Sequence, residues 1–555
     1  MRNNFDSIKN ELTSFINKFK VLSIRQRQAL FLQCIMSFDK TFFDYLMNSN
    51  EDAHIYYSEV LRYGYPIFIR NFYDKDFEAL DGIGLTKITP ENQEICQKIL
   101  WSCKTLGWIE YIEENKKYNN FSVRHFGNTT RVKFKKKHHW NEYLEKNHTL
   151  LYSRIMKMAH QEQYEELEKE KPRILEKMRS MVYVWNNYFM GYNNDLEVEE
   201  YFRAYAELDE EEETDWDMFQ SSDIFGNVKY YDFVQTITDF AGYAIKHIHF
   251  AYLLKQANPD LILENFFYLC KDTDQIKKLI SENRTISLDQ VDTIFKCLSL
   301  GAHNIDLFSQ PLYCTVPFIK LSKTQAIQSV IGTLYTPFSF MLENLNLFFQ
   351  KEWSGNTKNR ETLFKKELYS IFKSDNFFCN NNNVIISSGG QQKTDIDAVV
   401  IDKTAGEIAL FQLKWQAHTY VSARSLNSKS LNYNAETKKW LDCVRSWLSS
   451  ASEGEMSSLL GVKKKFINKN KVYLFVLGRQ HGNYSGDKNI DENCAWAQWY
   501  QFLAYSQILN KDQPAISQIY EMLRKKSPFK QRIIEEPAVQ KIGEYKIIFG
   551  NWKLL

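Results

Sequence analysis

Asp395, Asp397, Gln412 and Lys414 lie in a segment, "DIDAVVIDKTAGEIALFQLKW" (395–415), that otherwise reads as two apolar strands joined by a turn. The second strand carries Ala409, Leu410, Phe411 and Leu413, so both of its faces are apolar before the polar residues begin. An ammonium at the end of a buried strand is costly to desolvate and requires compensation. By strand parity Leu410, Gln412 and Lys414 share one face, and Phe411, Leu413 and Trp415 the other. A hairpin folded symmetrically about Thr404 and Ala405 sets Asp397 opposite Gln412 and Asp395 opposite Lys414. An acid pair, an amide and an ammonium then converge at one sheet end, and the carboxylates are what the lysine needs. A structural salt bridge accounts for Lys414 and Asp397, but not for a further acid upstream. In "ETLFKKELYSIFK" (361–373), Leu363, Phe364, Leu368 and Ile371 form the buried stripe of a helix. Glu367 falls inside that stripe and must find a cation or a metal, whereas Glu361 lies at its edge and is held in reserve.

The elements that must position these groups follow in a definite order. After the helix at 361–373 come "NNNVIISS" as a short strand, the two strands of the hairpin, and a helix at "ETKKWLDCVRSWLSSA". An apolar strand, "KVYLFVLGRQHGN", comes next. Helix, three strands, helix, strand describes an α/β sandwich with a mixed central sheet. The residues in this order resemble the PD-(D/E)xK, or restriction-endonuclease-like, nuclease superfamily over about 340 to 530. Asp397 corresponds to the acid of the second strand, Gln412-Leu413-Lys414 to the (D/E)xK triplet, and Glu367 to the helix acid. Glutamine in place of the triplet's acid is similar to the Mrr-like branch, and it removes one negative ligand.

The resemblance implies a metal-dependent endonuclease that hydrolyses phosphodiester bonds of nucleic acid, with DNA the expected substrate. It implies Mg²⁺, or Mn²⁺, held by Asp397, the Leu413 carbonyl, Gln412 and Glu367 through water. The ion would polarise the phosphate, while Lys414 would orient or help deprotonate the attacking water. Arg479, Gln480 and His481, at the end of the next strand, become candidate substrate contacts. A nuclease joined to a large helical region also suggests restriction or anti-phage defence, by association only. A homodimer or a partner protein of a defence system is compatible with this reading. The rival expectations are a catalytically inactive module of the same fold that binds nucleic acid or a protein, and a helical scaffold.

At 555 residues the chain is too long for one ordinary core. It is expected to be multidomain, with a mainly α N-terminal region and a C-terminal α/β restriction-endonuclease-like domain. The expected boundaries are 1–150, 151–350 and 351–555, with "KEWSGNTKNR" (351–360) as a linker. With 44% hydrophobic and 25% charged residues, the composition is that of a globular protein. A net charge of +2 means that any nucleic-acid surface must be local. The start carries charges and no apolar segment with a cleavage site, and the uncharged stretch 324–342 reads as a helix pair rather than a membrane span. Nine scattered cysteines without C-x-x-C spacing predict reduced thiols and a cytoplasmic protein.

Within 85–140 a helix is predicted to stop at Leu106-Gly107. Strands follow at 108–111, 121–125 and 130–134, an order similar to the second half of a winged helix. Arg131, Lys133, Lys135 and Lys137 make this hairpin basic and a candidate nucleic-acid contact, although lysines also protect edge strands. The acidic run at 208–217 reads as a solvated loop or helix end, and His247 and His249 as packing histidines. No phosphate-binding G-x-x-x-x-G-K-[ST] loop, G-x-S-x-G elbow or H-E-x-x-H is present, so ATP use is not supported.

Overall fold

The computed structural model describes residues 4–48, 56–135, 145–212, 217–282, 284–309, 314–358, 360–382, 384–388, 390–416, 423–485, 487–509, 515–525 and 533–554. They form two compact units, Met1–Glu114 with Ala159–Asn356, and Asn115–Met158 with Thr357–Thr419 and Ala423–Leu555.

The first unit is mainly helical, as its periodicity predicts. Ile24–Met47 begins at a capping box in which Ser23 and Gln26 satisfy each other's backbone amides. The helix expected to stop at Gly107 instead runs on, Pro90–Lys117, and the strand expected at 108–111 is absorbed into it. Gly107 serves close packing, since a Cβ there would lie 2.2 Å from the Tyr63 carbonyl oxygen. The uncharged stretch at 324–342 contributes a strand, Gln325–Gln328, before the helices Val330–Leu334 and Pro337–Phe348. That strand belongs to a small four-stranded sheet with Cys270–Asp272, Phe318–Lys320 and Ser299–Leu300. His247 is buried, with Nε2 2.8 Å from the Phe266 carbonyl and Nδ1 3.1 Å from the Tyr192 hydroxyl. Burial holds it down at about 3, so it is a neutral packing histidine. His249 packs on the Phe202 ring. Residues 208–212 close the helix Leu196–Glu212, and the expected linker is helical, Gln350–Thr357. All nine cysteines are free. Among the described residues no helix is long and apolar enough to cross a membrane.

The second unit contains the candidate site. Its elements include β1 (Phe121–Phe126), β2 (Thr129–Phe134), α1 (Arg360–Ile371), β3 (Phe377–Cys379), β4 (Val384–Ser388), β5 (Gln391–Ile396), β6 (Ala398–Asp402) and β7 (Glu407–Lys414). They continue with α2 (Ala423–Ser450), α3 (Glu453–Leu460), β8 (Val472–Gly478), β9 (Ala495–Gln498), α4 (Trp499–Leu509), α5 (Ile516–Lys525), β10 (Ile533–Ile542) and β11 (Tyr545–Leu554). The central sheet is five-stranded, in the order β3-β6-β7-β8-β9. It is mixed, because β7 pairs antiparallel with β6 and parallel with β8. Alternation divides its side chains between two cores. Val399, Ile401, Ile408, Leu410 and Val476 pack against Tyr433, Trp440 and Val444 of α2. Ala398, Val400, Phe411, Leu413 and Phe475 pack against Phe364 and Leu368 of α1 and Phe502 of α4. A mixed sheet covered by helices on both faces is thus present, as the element order predicts.

The basic hairpin forms as β1 and β2, but its surroundings differ from the expected wing. β2 also pairs in parallel with β11, from Thr129↔Lys546 to Lys133↔Gly550, and β10 completes a four-stranded sheet. One face is closed by Phe121, Phe134 and Phe549, with Phe134 4.4 and 4.7 Å from the other two ring centroids.

Candidate active site

The turn joining β6 and β7 is built by Asp402, whose carboxylate accepts from the amides of Thr404 (2.8 Å) and Ala405 (2.9 Å). Gly406 then takes a positive φ of 68°. This sets the register Asp402↔Glu407 through Ala398↔Phe411, the symmetric fold about Thr404 and Ala405. One step further Asp397 meets Gln412, as parity requires. The Asp397 amide bonds the Phe411 carbonyl (3.1 Å). Its Oδ2 accepts from the Leu413 amide at 2.7 Å and from Gln412 Nε2. Oδ1 accepts no hydrogen bond among the described residues. Leu413 therefore touches the acid through its amide, where its carbonyl was the expected contributor.

The backbone leaves the central sheet at Asp397. Upstream residues form β5, which pairs with β4 in a separate two-stranded sheet and places Asp395 opposite Ile385. Asp395 is exposed, and its carbonyl is held by Trp440 Nε1 at 2.8 Å. It does not reach the position opposite Lys414 that an unbroken strand would give it. Lys414 instead has Glu436 of α2 at 3.2 Å and Glu361 of α1 at 3.9 Å. The reserve helix acid, Glu361, is thus the one at the lysine. Glu367, the preferred candidate, is 46% exposed and pairs with Arg479. Its spacing from Phe364 puts it on the rim of the stripe, within reach of a guanidinium that stacks 4.4 Å over Trp415. Arg479 is buried there.

Burial, with Glu361 and Asp395 adding negative charge, pushes the Asp397 carboxyl up to about 7, against the Leu413 hydrogen bond and Lys414, which lower it. For Lys414 burial acts downward, but Asp397, Glu361 and Glu436 outweigh it and hold the ammonium above its usual range. A second lysine was not singled out from sequence. Lys365 lies one turn beyond Glu361 on α1, and burial lowers its pKa while Asp397 opposes that. Its Nζ is 3.3 Å from the carbonyls of Asn381 and Asn382. The i,i+4 spacing of Glu361 and Lys365 was the available signal. Glu436 carried none, because α2 begins well before the helix predicted at 436.

The structure thus brings together Asp397, Gln412, Leu413, Lys414 and Glu361, and sets Glu367 apart on Arg479. Among the described residues no group of three or more His, Cys, Asp or Glu side chains could hold a metal ion. The donor set is sparser: Asp397 Oδ1, the Glu361 carboxylate and the Gln412 side-chain oxygen. Oxygen groups of this kind are what a hard cation would take, Mg²⁺ through one or two carboxylates and several waters. In the hairpin, Arg131, Lys133 and Lys135 are exposed, whereas Lys137 lies outside the described residues. No family model, curated protein or solved structure matches the chain.

Proposed function

We propose that the end of β7 is the active site of a nuclease that hydrolyses phosphodiester bonds of nucleic acid, with Mg²⁺ or Mn²⁺ as cofactor and DNA as the expected substrate. One observation carries the reading. A partly buried carboxyl, whose Oδ1 accepts no hydrogen bond among the described residues, stands beside a compensated ammonium at the end of a central strand. Asp397 and Glu361 would hold the ion, with the Gln412 oxygen as a neutral third donor once its amide is turned. When bound, the ion supplies Lewis-acid polarisation of the phosphate and a more acidic water. Lys414, whose ammonium is stabilised, works as a fixed positive charge that orients the water and offsets negative charge at the phosphate, not as a base. Asp397 must be ionised to act, so activity rises with pH through about 7.

A second reading, an inactive module that binds nucleic acid or a partner, is favoured by the Gln412 amide donating to Asp397. Calorimetric titration of Mn²⁺ into wild type, Gln412→Glu and Asp397→Asn separates the two. The nuclease reading expects binding in wild type, tighter binding in Gln412→Glu, where a second carboxylate faces Asp397, and none in Asp397→Asn. Negligible heat in all three leaves only the binding module.

A further inference from the structure

The four-stranded sheet of β1, β2, β11 and β10 has one face closed by phenylalanines and one open. On the open face the register aligns Phe126, Thr129, Lys546 and Lys541 in one row. Arg124, Arg131, Ile548 and Val539 form the next, and Ser122, Lys133, Gly550 and Pro537 the third. Arg124, Arg131, Lys133, Lys541 and Lys546 are all exposed, as is Lys135 just past the end of β2. The chain's last strands therefore extend the basic hairpin into a continuous positive face. Apolar groups are interleaved with the charges: Ile548 lies on a middle strand, Val539 on the edge strand β10 is 52% exposed, and Phe126 at the end of the edge strand β1, with the Arg131 guanidinium 5.8 Å above its ring, is 56% exposed. Two acids lie at the margins. Glu544 is in the β10–β11 turn, where Asn128 bonds it. Glu535 shares the face's register six residues beyond Lys541, roughly 20 Å along the strand.

We infer that this face binds single-stranded nucleic acid, with phosphates on its lysines and arginines and unstacked bases against the interleaved Phe126, Ile548 and Val539. Charge of one sign selects a polyanion. The apolar groups among the charges select among polyanions, because a duplex presents phosphates and sugars to them and leaves them unused, whereas a single strand offers base faces that stack. A pleated sheet with an exposed aromatic side chain beside a row of arginines provides both contacts at once. The inference stands on this face alone and applies equally to a chain that cuts nothing.

The test is fluorescence anisotropy of a labelled oligothymidine and of a duplex with the full chain in EDTA, so that cleavage plays no part. The single strand is expected to bind at least tenfold more tightly than the duplex. The Lys541→Ala, Lys546→Ala double variant should weaken single-strand binding and flatten its log–log salt slope by about 1.4, at about 0.7 per lost contact. Phe126→Ala should weaken single-strand binding severalfold and leave duplex binding and the salt slope unchanged. All three side chains are exposed, so unchanged melting curves are expected and checked. An unchanged salt slope in the double variant overturns the inference, as does equal binding of duplex and single strand.

Discussion

Asp397→Asn should alter the pH dependence of stability in a way set by the carboxyl's position. In the folded chain burial pushes this carboxyl from an ordinary 3.8 up to about 7. A folded pKa above the unfolded one means that the folded state binds the extra proton between those limits. The resulting stability is fully present below 3.8 and lost as pH rises to about 7. From pH 5 the loss runs at roughly 1.4 kcal/mol per pH unit, slows as pH approaches 7, and totals about 3 kcal/mol by pH 8, where it is complete. Asparagine retains an oxygen for the Leu413 amide and does not ionise, so the variant escapes the loss. Because a whole-chain melt mixes two units, the suitable readout is hydrogen exchange of peptides from β6 and β7, compared between variant and wild type at the same pH. The variant-to-wild-type protection ratio should rise about a hundredfold between pH 5 and pH 8. Mn²⁺ at pH 8 should close the gap by stabilising the wild type alone. An identical ratio at both pH values refutes the reasoning, since Asp397 would then ionise as an ordinary exposed acid.

Lys414→Ala should abolish cleavage and cost under about 1 kcal/mol of stability, because its partners Glu361 and Glu436 are 60% and 61% exposed; nuclease assays and hydrogen exchange on one preparation check both. Glu361→Gln should lower cleavage at least tenfold and weaken Mn²⁺ binding, whereas Glu367→Gln should leave cleavage within about threefold of wild type, read from initial rates. Gly107→Ala should destabilise the first unit by about 1–3 kcal/mol by forcing a methyl group onto the Tyr63 carbonyl, measured by urea unfolding followed through exchange of the 90–114 peptides.

The hairpin register and the meeting of Asp397 with Gln412 were legible because β7 is apolar on both faces and Asp402 and Gly406 specify its turn. A strand of that kind tolerates no slip. The break at Asp397 was not legible, since "TDIDAVV" alternates smoothly and only the pairing of β5 with β4 removes Asp395 from the central sheet. Glu367 sits at helical spacing from the buried stripe, but periodicity does not separate the centre of a stripe from its rim. Arg479, more than a hundred residues away, makes that distinction. Gly107 illustrates the same limit. A glycine near lysines and aromatic residues reads as a helix stop, and only the nearby Tyr63 carbonyl shows that it marks close packing. The strand that pairs with the basic hairpin, β11, lies more than four hundred residues downstream, beyond any local signal.

The most direct test of the proposed activity is a cleavage assay with the full chain on end-labelled single- and double-stranded DNA. Wild type and Lys414→Ala would be compared in Mg²⁺, in Mn²⁺ and in EDTA at pH 8, where Asp397 is ionised. Products are expected from wild type with either metal, none in EDTA and none from Lys414→Ala. Intact DNA in every lane, or equal cleavage by the variant, would contradict the proposed activity.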